Sequence, residues 1–511
     1  MTLETLAGSL FWAGFDGAAA GEVALGTLRE LAPGGVVLFA RNVSAPATTS
    51  ALAERLRAEL TTSDGTVPHV ALDQEGGRVA RLGRGFTTFP SALALAANGD
   101  AVLAERFGAA LAEEVRRAGA GVDFAPVADL LLDPDNAAVG TRSLGDDPSR
   151  VATLAAAQVR GLQGGGVASV LKHFPGHGAT SIDSHMALPR IDAAAATLRA
   201  RELVPFVAGI AAGALGVMAG HLMVPALDER HPATWSRRIL TGLLREELGF
   251  TGLCFTDCLL MDAVARDPGT VEAAVAAVAA GADALIVSHD LSSALAARAA
   301  LVAAVRAGRL PLGRLEEARE RGASFRSRLA ALAGRRSSEA DPAGVARLVA
   351  AGAVTLVRGN PVLDPARVVN VVSFEGDAAD GIGSRAGNAG LHVMLRERRI
   401  RAESLRVPLD PPAGMLETLG SVLETQRERG LVVIARRAYR IPAQARAIEA
   451  LLATWPGALL VSALEPFDVP RFPQARTVAC TFGDDAVTFE ALADILSGRA
   501  SPRGTLPVHL A

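Results

Sequence analysis

Residues 169–189 read SVLKHFPGHGATSIDSHMALP, and Lys172, His173, His177, Asp183 and His185 crowd among glycines directly after the strand-like Ser169, Val170 and Leu171. A strand that ends in a burst of titratable groups marks an active-site edge. Gly176 and Gly178 let the backbone double back, and Asp183 stands two residues before His185 on a loop. A carboxylate beside an imidazole favours the imidazolium and fixes its tautomer, so such a pair can give and take a proton near neutral pH. The same residues admit two plainer readings, a helix cap at Asp183 and a metal cluster of His173, His177 and His185. The second lacks the grouped carboxylate or thiol ligands of a zinc site.

These side chains need elements to hold them. Short apolar runs recur at 10–15, 35–39, 69–72, 122–127, 169–171, 215–219, 253–255 and 284–287, separated by helical patterns such as 101–118. Buried strands alternating with amphipathic helices give a parallel sheet with helical crossovers, and this many strands predict a (β/α)8 barrel. An open doubly wound sheet is the alternative. Asp73, Asp129, Lys172, His173, His221 and Asp257 each follow such a run directly, so all would point into one mouth at the carboxyl ends of the strands.

The helical stretches 273–280 and 293–306 lead into a basic helix, and then to an Arg, Ser, Gly and Pro-rich segment without periodicity. The division expected is a catalytic barrel over 1–333, a linker over 334–345 and a second domain over 346–511. In the second domain VVNVVSF, GLVVIAR and GALLVSAL alternate with helical stretches, which predicts an α/β sandwich. It holds no GxGxxG after a strand and no Walker loop, and His392 and His509 are isolated and read as structural or surface residues.

Composition narrows the class. At 511 residues with a net charge of −3, the chain is too long for one ordinary core and has no basic surplus for nucleic acid. Three cysteines, Cys254, Cys258 and Cys480, make no disulfide framework. With no Lys or Arg before Arg29, the basic start of a signal peptide is missing, and a reducing, cytoplasmic setting is expected. The apolar run 204–227 is long enough for a bilayer, but Pro205, Pro225 and internal glycines divide it into a helix end and a buried strand. No membrane contact is expected.

KHFPGHG followed by DSH resembles the signature of the bacterial β-N-acetylhexosaminidases of glycoside hydrolase family three. GGVVLFARNV, ALDQEGGRVARL, GFTTFPSALALA, VDFAPVADL, TRSLGDDP, VMAGHLMVPALD, HPATWS and LLREELGFTGLCFTDCLLMDA resemble family segments in the same order. The likeness covers the first two thirds of the chain closely and the last third loosely. RAGRLPLGRLEEARERGASFRSRL resembles the family's closing barrel helix, and SPRGTLPVHL the end of its second domain.

The resemblance implies a retaining exo-β-N-acetylglucosaminidase acting on N-acetylglucosaminides, including peptidoglycan fragments (muropeptides), without metal or organic cofactor. It makes Asp257 the nucleophile and His185 with Asp183 the acid–base pair. Asp73, Arg81, Arg142, Lys172 and His173 become sugar ligands, with Glu75, His177 and His221 as supports. Asp123 and Asp129 are read equally as loop holders or ligand contacts. Many relatives carry a second acid after the nucleophile, where this chain has Cys258. Rival readings are a phosphorylase that takes phosphate as acceptor on the same scaffold, a β-glucosidase, and a sugar-binding protein without catalysis.

Overall fold

A computed structural model describes residues 1–63, 65–180, 182, 187–265, 268–334, 340–376 and 390–510 of the chain. Eight parallel strands close into a barrel: β1 (Phe11–Ala13), β2 (Gly35–Val37), β3 (His69–Leu72), β6 (Val122–Asp123), β7 (Ala168–Phe174), β8 (Gly216–Ala219), β9 (Leu253–Cys258) and β10 (Ala284–Val287). A short hairpin, β4 (Gln74–Gly76) and β5 (Val79–Ala80), stands over β3. Closure is made where Phe11 of β1 lies against Leu285 of β10. The open sheet is thereby excluded for this half.

Alternation along the strands explains the closure. Trp12, Val37, Ala71, Val122, Val170, Met218, Phe255 and Ile286 fill the interior, while Phe11, Val36, Leu72, Leu171, Val217, Cys254 and Leu285 face the helices outside. Gly35 is fixed by this filling, since a Cβ there would lie 2.3 Å from the Trp12 indole. Phe325 and Leu329 of the helix Leu312–Gly334 join the same interior cluster. The apolar run 204–227 resolves into the helix Leu203–Ala211 and β8, and no described helix is long and apolar enough to cross a membrane.

The second domain is a six-stranded sheet in the order β11 (Thr355–Arg358), β16 (Thr477–Cys480), β15 (Leu459–Ser462), β14 (Gly430–Ala435), β12 (Val369–Glu375) and β13 (Ala402–Pro408). All neighbours are parallel except β11, which pairs antiparallel with β16. Helices cover both faces, with Leu419, Ile448 and Leu451 on one and Leu395, Phe489 and Leu492 on the other. The sequence pattern finds β12, β14 and β15, which are buried along their length. It misses β13, whose burial is broken by exposed Glu403, Arg406 and Pro408, together with the short edge strand β11 and its neighbour β16.

The domains share a core. Leu93, Ala97 and Leu131 of the first domain lie in a hydrophobic cluster of the second. The helix Pro342–Ala353 gives Val345, Ala346 and Val349 to the barrel cluster and Ala350 to the other. His509, read as isolated, lies with Nδ1 2.9 Å from Asp146 Oδ2 across this boundary.

Candidate active site

Where the barrel strands end, a cavity of about 350 Å3 is lined by Asp73, Arg81, Arg142, Lys172, His173 and Asp257, with Met218 and Phe124 beneath. All five residues expected to hold the sugar and the expected nucleophile thus meet in one place. Lys172 and His173 do not follow their strand, as the pattern suggested. They lie inside β7, which runs on to Phe174, and Asp257 likewise lies inside β9.

A chain of ion pairs fixes the floor. Lys172 Nζ donates to Asp73 Oδ1 at 2.8 Å and lies 2.6 Å from Glu75 Oε1. Arg81 reaches Asp73 Oδ2 at 3.1 Å, and Arg142 grips Glu75 with two bonds of 2.8 Å. The Asp73 side chain is 14% exposed against 2% for Lys172 and 3% for Glu75. Of the two carboxylates, Asp73 faces the cavity and Glu75 lies buried behind it.

Burial pushes the Asp73 and Glu75 carboxyls up, but the neighbouring cations outweigh it. Lys172 and Arg81 hold Asp73 well below the usual carboxylate range, and Arg142 with Lys172 bring Glu75 to about 2. Burial alone would lower Lys172, yet the facing carboxylates raise it.

Asp129 and His221 are fully buried and do not line the cavity. Asp129 accepts from the backbone N–H of His177 at 2.7 Å and of His173 at 3.1 Å, and from His173 Nδ1 at 2.7 Å. Nδ1 thus carries a proton towards Asp129, and His173 Nε2 lies 3.4 Å from Arg142 Nη2. His221 Nε2 donates to the Cys258 carbonyl at 2.9 Å and Nδ1 pairs with the Thr234 hydroxyl at 2.7 Å, tying the end of β8 to β9. Asp123 accepts from Gln74 N at 2.9 Å, and burial pushes its carboxyl well above the ordinary range.

Asp257 Oδ1 accepts from Cys258 N at 2.7 Å. Asp183 and His185 lie outside the described residues. The stem of their loop is described: His177 is anchored to Asp129, and its carbonyl accepts from Asn136 Nδ2 at 2.8 Å. Asn136 was not foreseen, and nothing in DPDNAAVG singles it out. Ser288 and His289 at the cavity rim were also missed, although they follow β10 just as Asp73 follows β3. Cys258 Sγ lies 3.1 Å from Ser288 Oγ.

A smaller cavity, about 210 Å3, opens at the opposite end of the barrel beside Trp12, His69 and Leu253, where the strands begin. Among the described residues no group of three or more His, Cys, Asp or Glu side chains is placed to hold a metal ion.

Known proteins resemble this chain in sequence and in fold. The family model described as Glycosyl hydrolase family 3 N terminal domain matches residues 18–324. The chain is 41% identical over 299 residues, 58% of its length and 86% of the relative's, to a β-hexosaminidase of Pseudomonas aeruginosa. To β-hexosaminidase A of Pseudoalteromonas piscicida it is 37% identical over 268 residues, covering 49% of this chain and only 45% of that longer protein. The solved structure of a glycoside hydrolase family 3 β-N-acetylglucosaminidase from Paenibacillus sp. str. FPU-7 superposes with a TM-score of 0.93 at 34% identity, over 100% of this chain and 99% of that one.

Proposed function

The chain belongs to glycosyl hydrolase family 3, and from that membership we propose that it is a retaining exo-β-N-acetylglucosaminidase. The observation that carries the reading is the convergence of Asp73, Arg81, Arg142, Lys172, His173 and Asp257 on one cavity at the carboxyl ends of the barrel strands. At about 350 Å3 the cavity is at the small end of ligand sites, which suits one sugar ring.

Asp257 attacks the anomeric carbon while His185, oriented by Asp183, protonates the departing oxygen. The glycosyl ester on Asp257 is then opened by water, with the neutral His185 taking the proton, and two inversions give retention. Asp73, charged and partly exposed, accepts from sugar hydroxyls; Arg81, Lys172 and Arg142 donate. His173 lines the cavity wall between Asp129 and Arg142. Glu75 and Asp129 hold these groups from behind, and His221 supports the end of β9 beside Asp257.

N-acetylglucosamine-terminated peptidoglycan fragments are the natural substrate in this proposal, and a reducing cytoplasm is its setting, supported by three free cysteines. The domain division at 333 and 346 belongs to the same proposal, with the barrel carrying the catalytic residues. Phosphate as an alternative acceptor loses one support, because Lys172 and Arg142 are both committed to carboxylates.

A chromogenic N-acetyl-β-glucosaminide assay tests the reading, with proton NMR to establish the configuration of the released sugar. Asp257→Asn should keep the circular dichroism spectrum and lose about a thousandfold or more in kcat. Near-normal turnover in that purified variant rules out the nucleophile assignment, and no turnover by the wild type on this substrate rules out the activity.

A further inference from the structure

The turn Gly140–Arg142 carries Arg142 into the sugar cavity, and its other side faces the second domain. There Arg437, just past β14, makes two bonds to Glu465, with Nε to Oε2 at 2.7 Å and Nη2 to Oε1 at 2.9 Å. Glu465 Oε1 also accepts from the backbone N–H of Thr141 at 3.0 Å. Both side chains are buried, at 9% and 2% exposure.

The approach is so close that a Cβ on Gly140 would lie 2.1 Å from Glu465 Oε1, and Gly140 itself has φ +43. Arg437 adopts φ +58, a left-handed backbone that a residue with a side chain takes only when its surroundings enforce it. From the same turn Arg142 donates through Nη1 to the Ala138 carbonyl at 2.8 Å and through Nε and Nη2 to Glu75. Further along the loop, Tyr439 of the second domain donates to the Pro134 carbonyl at 3.0 Å, and Arg440 lies 3.5 Å from Asp135.

We propose that the buried Arg437–Glu465 pair of the second domain is a positioning pair for the barrel site, fixing the turn Gly140–Arg142 and thereby the guanidinium of Arg142. The inference rests on the reading of Arg142 as a sugar ligand. A fixed guanidinium loses little freedom when sugar binds, whereas a loosened one must be ordered at each binding event. The grip of Glu465 therefore acts on substrate affinity, although neither member of the pair lines the cavity.

The full-length enzyme serves for the test, with Glu465→Ala, Glu465→Gln, Arg142→Ala and the double variant assayed on the chromogenic N-acetylglucosaminide. Loss of folded protein alone lowers apparent kcat and leaves KM untouched. A misplaced Arg142 raises KM, and for Glu465→Ala we expect a rise of about tenfold, with a smaller one for Glu465→Gln, which keeps an acceptor for Thr141 N. Because Glu465 acts through Arg142, the double variant should be no more than about twofold worse than Arg142→Ala.

Hydrogen exchange gives a readout independent of activity. Peptides over 133–143 should exchange faster in Glu465→Gln and those of β9 should not. KM within twofold of wild type in a folded Glu465→Ala, losses that multiply in the double variant, or unchanged exchange over 133–143 each overturns the proposal. A wild type inactive on the substrate defeats the functional reading instead, and exchange then still reports on the clamp.

Discussion

The proposed general acid His185 and the buried Glu75 act through different physics. A general acid matters in proportion to how poorly the leaving group departs, since an aryl oxide of low pKa leaves with little protonation and a sugar alkoxide does not. His185→Ala should therefore spare activated aryl glycosides and cripple disaccharides, with Asp183→Asn showing a milder form because the imidazole stays but is badly poised. Measuring glycosylation rates across a series of leaving groups checks this, and an equal loss for all of them removes His185 from the role. Glu75 instead works by charge. Its carboxyl is depressed from 4.5 to about 2 by Arg142 and Lys172 against the opposing effect of burial. A group with a lowered folded pKa stabilises fully above its unfolded value and gives that up as the pH falls towards the folded one. Removing one partner of a buried pair costs about 3 kcal/mol or more. Glu75→Gln should show that deficit undiminished from pH 7 to about 4.5 and shrinking below it, read from urea midpoints at each pH.

At the scale of elements, the site depends on loops held by backbone approach as much as by side chains. The stem of the loop proposed to carry the acid–base pair passes, at Gly178, so near the neighbouring loop that a Cβ there would lie 1.8 Å from the Leu130 carbonyl oxygen. Asn136 and Asp129 reach the same stem from below through His177. Gly178→Ala should accordingly push the stem away and lower kcat by about tenfold or more, since small misplacements near reacting groups are costly. The cost is steric rather than conformational. A variant with normal kcat would mean that the stem position does not reach the chemistry. The same dependence on elements explains β7, where Lys172 and His173 gain precision from lying in a strand paired on both sides.

Across the whole molecule, the two domains are joined by a shared core rather than by a linker alone. Leu93, Ala97 and Leu131 are buried among second-domain side chains, and the helix Pro342–Ala353 serves both halves. Ser91 Oγ donates to the Phe482 carbonyl at 2.5 Å, and Thr505 N to the Ala97 carbonyl at 3.0 Å. Separating the domains would expose this apolar surface to water, at about 25 cal/mol per Å2. Calorimetry should then show one cooperative transition for the full chain. Two resolved transitions would mean that the interface is too weak to couple the halves.

The sequence by itself carried the strand alternation of the barrel, because strands buried on both faces read as apolar runs and their carboxyl-end residues break the pattern with charge. Asp73, Lys172, His173 and Asp257 stand out in this way, and the motif resemblance added Arg81 and Arg142. It could not show that Lys172 shares its charge between Asp73 and Glu75, or that Asp129 holds the His173 ring, since those partners come from segments far apart in the chain. Ser288 and His289 were legible by the same rule and were passed over for want of a motif. Glu465 and Arg437 were not legible at all. Nothing local marks a carboxylate that is 324 residues from the backbone N–H it accepts from, and only the packing of one domain on the other brings it against a glycine with no side chain to keep it out.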